Sequence, residues 1–214
     1  MEGGLVLRRI RELIAEMSGM DEVGTDRGGG RTRGSESVAE GCTEGDSTAE
    51  LGWEAPRAGV AKINVDAGLI AGLGVGWGLV CRNSQGSVEW CVASQTSVDM
   101  EPKFAEAMAI LHGAQEARRA GIKHVIFESD CLSVVEDLRL KKHGRSDIHL
   151  VYLDILSTCL FFDSFSFSFV RRKLNAVAHS LTHLYPWFEG RRAWSDDFPP
   201  DVVNLVQKEL IVMA

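Results

Sequence analysis

The chain has 214 residues, 45% apolar and 25% charged, an ordinary globular composition that excludes collagenous, mucin-like and wholly disordered chains. Apolar runs such as residues 125–127 last only a few residues, far below the roughly 20 a membrane helix needs, so a soluble protein without a secretory signal is expected. The net charge of −7 is uneven: residues 1–52 carry 11 acids and 6 bases, whereas residues 53–214 carry 19 and 17, which excludes a large basic surface as the source of nucleic-acid affinity.

Leu7, Ile10, Ile14 and Met17 recur at helical spacing, and residues 18–51 then turn rich in glycine, serine, threonine and acids. Such a stretch holds too little apolar surface to offset its ordering entropy. Residues 1–52 are therefore read as a short helix, open to an unknown partner, and a flexible linker. From Trp53 the texture changes. Residues 60–66 alternate at period two, and residues 74–82 and 87–97 are strand-like, joined through Asn83-Ser84-Gln85-Gly86; the three make an antiparallel meander. Pro102 opens a helix that runs to Ala120, with Phe104, Met108, Leu111 and Gln115 on one stripe and Gly121 as its stop. Residues 122–127, which end in the apolar run Val125-Ile126-Phe127, are read as a strand of the kind buried on both faces. Helices over 132–141 and 148–160, a strand over 165–171 and a helix over 175–188 complete the order βββαβααβα. This predicts an α/β fold, a mixed five-stranded sheet flanked by helices, with right-handed parallel crossovers. The domain spans 53–190. In the tail, 191–214, the spacing of Val202, Leu205, Val206 and Leu210 predicts a helix docked on the domain.

The five cysteines form no CxxC pair and no zinc spacing, so a reducing, intracellular setting is expected, nuclear or cytoplasmic. Cys81 and Cys91 flank the hairpin turn and are expected to be reduced.

Three carboxylates sit where this fold can gather them: Asp66 in the first strand, Glu106 in the first turns of the long helix, and Asp130 at the end of the buried strand. Taken singly, each has a bland explanation, as a turn residue, an acid near a helix N-terminus and an N-cap. Taken together they are costly, since two carboxylates ~4 Å apart repel by about 4 kcal/mol at an effective dielectric of ~20. A divalent cation removes that repulsion. Hard oxygen ligands without a Cys/His cluster point to Mg²⁺ or Mn²⁺ in preference to zinc.

The segments Lys62-Ile63-Asn64-Val65-Asp66, Gly74-Val75-Gly76-Trp77-Gly78-Leu79-Val80-Cys81-Arg82-Asn83-Ser84-Gln85-Gly86, Pro102-Lys103-Phe104-Ala105-Glu106-Ala107, Phe127-Glu128-Ser129-Asp130 and Val170-Arg171-Arg172-Lys173-Leu174-Asn175-Ala176-Val177-Ala178-His179-Ser180-Leu181 together resemble the ribonuclease H type 1 domain. The likeness is greatest to its plant, retroelement-derived, reverse-transcriptase-like branch. It covers about residues 53–190 in order and spacing. The resemblance implies endonucleolytic hydrolysis of the RNA strand of an RNA/DNA hybrid by two metal ions. Asp66 would bridge both ions, Glu106 and Asp130 would complete their coordination, and the products would carry 5′-phosphate and 3′-hydroxyl ends. It also implies substrate selection through 2′-hydroxyl contacts in the minor groove.

The chain departs from the family at the fourth metal-site acid, where His179 stands. Histidine can ligate or relay a proton, yet it is a softer, neutral ligand for Mg²⁺. His179 is thus a candidate catalytic residue, and the departure keeps a second reading open: a catalytically weak or inactive domain that binds nucleic acid or protein. His179 and His183 have the spacing of a zinc pair but lack a third ligand. Arg171, Arg172, Lys173 and Asn175 are the candidate nucleic-acid contacts. Lys141, Lys142, His143 and Arg145 lie where some relatives carry a basic handle, but this connection is short, so weak, salt-sensitive hybrid affinity is expected. Trp53, Trp77 and Trp90 invite a base-stacking role, but Trp77 and Trp90 lie within strands and are assigned to packing. A monomer is expected.

Overall fold

The computed structural model describes residues 52–142, 144–184 and 186–213. The helix and linker expected before residue 52, and His143, lie outside them.

Three strands, β1 (Ala61–Ile70), β2 (Gly74–Arg82) and β3 (Val88–Thr96), form the antiparallel meander. Its second turn is set by Asn83, whose side-chain oxygen accepts from the backbone N–H groups of Gln85 and Ser87, a local bond that replaces ladder pairing. The chain continues through α1 (Pro102–Arg119), β4 (His124–Ser129), α2 (Leu132–Arg139), α3 (Asp147–Cys159), β5 (Ser164–Phe169), a 3₁₀ turn (Arg172–Leu174), α4 (Ala176–Thr182), β6 (Gly190–Trp194) and α5 (Pro200–Met213). Strand order is β5-β4-β1-β2-β3-β6. The pairs β1–β4 and β4–β5 are parallel, and the other neighbours run antiparallel.

The sheet separates two apolar layers. On one face Ile63, Val65, Leu79 and Phe127 pack against α1, α2 and α3 through Ile110, Val134, Leu138 and Ile155. On the other, Val80, Cys91 and Ala93 meet Val177, Ala178 and Leu181 of α4 and Val202 and Val206 of α5. Cys81 belongs to the first layer and Cys91 to the second; the four described cysteines are free thiols. Trp53 and Trp77 are buried and Trp90 is half-buried. No helix among the described residues is long and apolar enough to cross a membrane.

Two expectations need correction. The sheet has six strands, not five: Gly190–Trp194 adds an edge strand beside β3. Its residues are almost all exposed, so they lack the alternation that marks a half-buried strand. The ladder to β3 holds them, as does Arg191, whose guanidinium donates to both Glu116 oxygens at 2.7 and 2.8 Å. The last helix of the domain is also shorter than 175–188, ending at Thr182. Pro186 follows closely, and residue positions before proline disfavour helix. The Gln95 side chain then pins the return, donating to the Leu184 carbonyl and accepting from the Phe188 N–H. In α1 the deepest residues are the small ones, Ala105, Ala109, Ala114 and Ala117 together with Ile110, while Phe104, Met108 and Gln115 are only half-buried.

Candidate metal centre

The register of β1 and β4 places Asn64 opposite Glu128, so Asp66 and Asp130, each two residues farther on, emerge side by side at one end of the sheet. Asp130 leaves β4 at a sharp turn in which the Cys131 N–H donates to Ser129 Oγ. Glu106 comes from α1, whose start is fixed on the sheet by Trp77: the indole Nε1 donates to the Ala105 carbonyl at 3.0 Å.

The fourth side of the site depends on missing side chains. Gly78 pairs with Asp66, and Gly76 with Gly68. A Cβ at Gly78 would collide with the Ala178 carbonyl, and one at Gly76 with the Thr182 carbonyl. These strand glycines let α4 lie directly on the sheet backbone. His179 is thereby brought over Asp66, with Nδ1 2.8 Å from Asp66 Oδ2. Asn175, buried at the start of α4, donates through Nδ2 to the Val65 carbonyl at 2.9 Å and to Asp130 Oδ1 at 3.2 Å, which ties both acid-bearing strands to the helix.

Asp66, Glu106 and Asp130 each offer an oxygen within 4.8 Å of the others. Among the described residues they are the single group of three or more acids, histidines or cysteines so arranged. Glu106 Oε2 is buried without a hydrogen-bond partner. Burial, followed by the charge of Asp130, pushes Asp66 up to about 7, against the partial relief of Arg172 and the Ala67 N–H. Burial and then the charges of Asp66 and Asp130 push Glu106 up to about 8. These groups are poised to exchange their protons for a cation, releasing the protons to solvent. An orphaned carboxylate oxygen amid three converging hard donors fits a divalent ion such as Mg²⁺ or Mn²⁺.

Of the other candidates, Arg172 reaches the centre, 3.8 Å from Asp130 Oδ2 and 3.4 Å from His179 Nε2. Burial and Arg172 hold the His179 imidazole below its ordinary pKa. Arg171 and Lys173 are exposed on the approach to α4. Lys142 is bound to structure, pairing with Asp137 at 2.5 Å, which also takes Lys103 at 2.6 Å and the Tyr152 hydroxyl at 3.1 Å. His183 meets Thr182 Oγ1 at 2.6 Å and touches the His179 ring edge-on.

The model of the family described as reverse transcriptase-like matches residues 64–184, more than half of the sequence and all the residues of this centre. The chain belongs to the reverse transcriptase-like family. Solved structures similar to this reverse transcriptase-like domain carry the RNase H fold. RNase H1 of the halophilic archaeon Halobacterium salinarum is 18% identical with a TM-score of 0.53, over 57% of this chain and 94% of that one. The N-terminal RNase H domain of a Mycobacterium tuberculosis protein is 17% identical with a TM-score of 0.53, over 70% and 97%. LC11-RNase H1 in complex with an RNA/DNA hybrid is 17% identical with a TM-score of 0.52, over 57% and 93%. No curated protein matches.

The expectations from sequence overlooked a second buried polar cluster in this reverse transcriptase-like domain, made by Trp53, Lys62, Asn64, Arg82, Glu128 and Glu209. The available signal is Lys62 and Asn64, which stand four and two residues before Asp66 and so share its side of β1.

Proposed function

We propose that this domain is a divalent-metal-dependent ribonuclease that hydrolyses the RNA strand of RNA/DNA hybrids. The observation that carries the proposal is the convergence of Asp66, Glu106 and Asp130 within 4.8 Å around a buried, unpartnered Glu106 oxygen. The hybrid bound by LC11-RNase H1 supports the choice of substrate. Asp66, Glu106 and Asp130 hold the ion, Mg²⁺ or Mn²⁺. The resemblance implies a pair of ions, of which the three carboxylates hold the first. When bound, the metal supplies Lewis-acid stabilisation of the phosphate charge and an acidified water.

The chain's own groups prepare that centre. Asn175 fixes the Asp130 carboxylate and the β1 backbone, and His179 fixes the orientation of Asp66. The imidazole, held below its ordinary pKa by burial and Arg172, can take up a proton released beside Asp66. Arg171, Arg172 and Lys173, at the open edge of the site, meet the phosphates of the substrate. With so few basic contacts, hybrid affinity is low and falls steeply with added salt.

The test is an end-labelled RNA/DNA hybrid incubated with Mg²⁺ or Mn²⁺. Cleavage of the RNA strand to 3′-hydroxyl ends is expected, lost on chelation and in Asp66→Asn. A hybrid that is retained but never cut favours the binding-module reading, which His179 in place of an acid supports. A hybrid neither bound nor cut sinks both.

A further inference from the structure

We propose that this centre takes one divalent ion rather than two, and that Arg172 with His179 occupies the flank a second ion would need. The inference rests on the metal-centre reading above. An ion pair about 3.5–4 Å apart needs free oxygens on both sides of the carboxylate that bridges it, and the two flanks of Asp66 differ.

On the Glu106 flank a carboxylate oxygen, Glu106 Oε2, stands without a partner, and the Ala67 N–H serves the Asp66 and Glu106 carboxylates in common. On the other flank the positions are filled. Asp66 Oδ2 is engaged by His179 Nδ1 at 2.8 Å. Asp130 Oδ1 accepts from Asn175, and its Oδ2 faces the Arg172 guanidinium at 3.8 Å. The same guanidinium lies 3.4 and 3.5 Å from the two ring nitrogens of His179, so it covers the imidazole. A guanidinium stays charged at any working pH. A second ion on this flank would meet a fixed positive charge at contact range and would find no fourth carboxylate, since none joins the group among the described residues. Arg172 thus supplies in fixed form part of the positive charge a second ion would bring, and it does so while remaining 70% exposed on its side chain, within reach of a phosphate.

Counting ions on the whole protein tests this without any appeal to activity. Mn²⁺ is titrated into the wild type, Asp66→Asn, Arg172→Gln and His179→Asp, with stoichiometry read by calorimetry and by the electron paramagnetic resonance of free and coupled manganese. One ion is expected in the wild type, with no manganese–manganese coupling, and none in Asp66→Asn. Arg172→Gln alters an exposed side chain and leaves the fold unperturbed; it should bind a second ion at least about tenfold more tightly than the wild type, as removal of a fixed positive charge at contact range relieves a repulsion of at least that size. His179→Asp should bind two and show the coupled signal. Two ions of similar affinity in the wild type would overturn the one-ion inference and leave the metal centre standing. No ion in the wild type would instead overturn the reading beneath it. One ion in the wild type and no gain in either variant would remove Arg172 and His179 from the role assigned to them.

Discussion

Two groups of acids gather on the same pair of strands, two residues apart, and they are treated in opposite ways. Around Glu128 every charge finds a partner within the chain. Its carboxylate takes Lys62 Nζ at 2.8 Å and accepts from Asn64 Nδ2 and Trp53 Nε1, each at 2.9 Å. Arg82, itself buried, donates to Asn64 Oδ1 at 2.8 Å, lies 3.3 Å over the Trp53 ring and pairs with Glu209 of α5. Two cations and two anions balance that cluster in charge. Around Asp66, two residues farther along, three acids face each other, and the nearest guanidinium is an exposed one 3.8 Å from Asp130. Buried charge neutralised by the chain is structure, whereas buried charge left unbalanced is a place for a cation from solution.

Removal of one carboxylate from each cluster should therefore give opposite results. Asp66→Asn removes part of a repulsion, so its melting temperature should equal or exceed that of the wild type without metal. Its rate of hybrid hydrolysis should drop by about 10³-fold or more, the equivalent of about 4 kcal/mol of lost transition-state stabilisation. Glu128→Gln keeps the shape but strands Lys62 without its counter-charge, and a broken buried pair costs about 3–5 kcal/mol. Urea denaturation should register that loss, and the melting temperature should fall by about 6–12 °C at the lower end of it. If Asp66→Asn destabilises as strongly as Glu128→Gln, the distinction between the two clusters is void.

The same contrast explains what sequence can reveal. Asp66, Glu106 and Asp130 are legible because each sits in a short motif at a recognisable place on a strand or helix, and the meander is legible because residues 60–66 alternate and a turn signal joins the strand-like runs that follow. The Glu128 cluster is not, since Lys62 and Arg82 read as surface charges until Trp53 and Glu209, far away in sequence, are seen to cover them. The strand glycines look like weak points in β2 and acquire their purpose only when α4 is laid against Gly76 and Gly78. β6 escapes because an exposed edge strand carries no apolar pattern, and the early end of α4 because its amphipathic spacing outlasts the hydrogen bonds that support it.

The comparison sharpens further with pH. In the ion-free protein Glu106 and Asp66 titrate at about 8 and about 7, far above the carboxylate range of the unfolded chain. The folded state then binds more protons than the unfolded one, so stability is greatest in mild acid and declines as pH rises from about 5 through 8. His112, held below its ordinary pKa by burial, works the other way near pH 6, and Glu209, pushed up by burial, works in the same sense as Glu106. Glu106→Gln isolates the centre. Melting curves should show the decline in the wild type, a shallower decline in Glu106→Gln, and a nearly flat profile in the wild type with saturating Mg²⁺, which takes the place of the lost protons. Equal slopes in all three would mean that the acids are not the source.

The smallest expected effect concerns how the third acid is held. Trp77 packs under α1 against His112 and spends its one donor on the Ala105 carbonyl, the residue before Glu106. Trp77→Phe keeps an aromatic ring in the layer but removes that donor and some volume, leaving a buried carbonyl with less than its full complement of bonds. A stability loss of about 1–3 kcal/mol follows from the unmet hydrogen bond. Glu106 should also lose some of its registration with Asp66 and Asp130, so Mn²⁺ affinity should fall by a few-fold in titrations, while the Glu128 cluster, which does not involve Trp77, keeps its contribution. The double variant Trp77→Phe/Glu128→Gln tests that independence directly. Its stability loss should equal the two single losses together within about 0.5 kcal/mol, because one substitution touches the layer beneath α1 and the other the paired charges on the opposite face of the sheet.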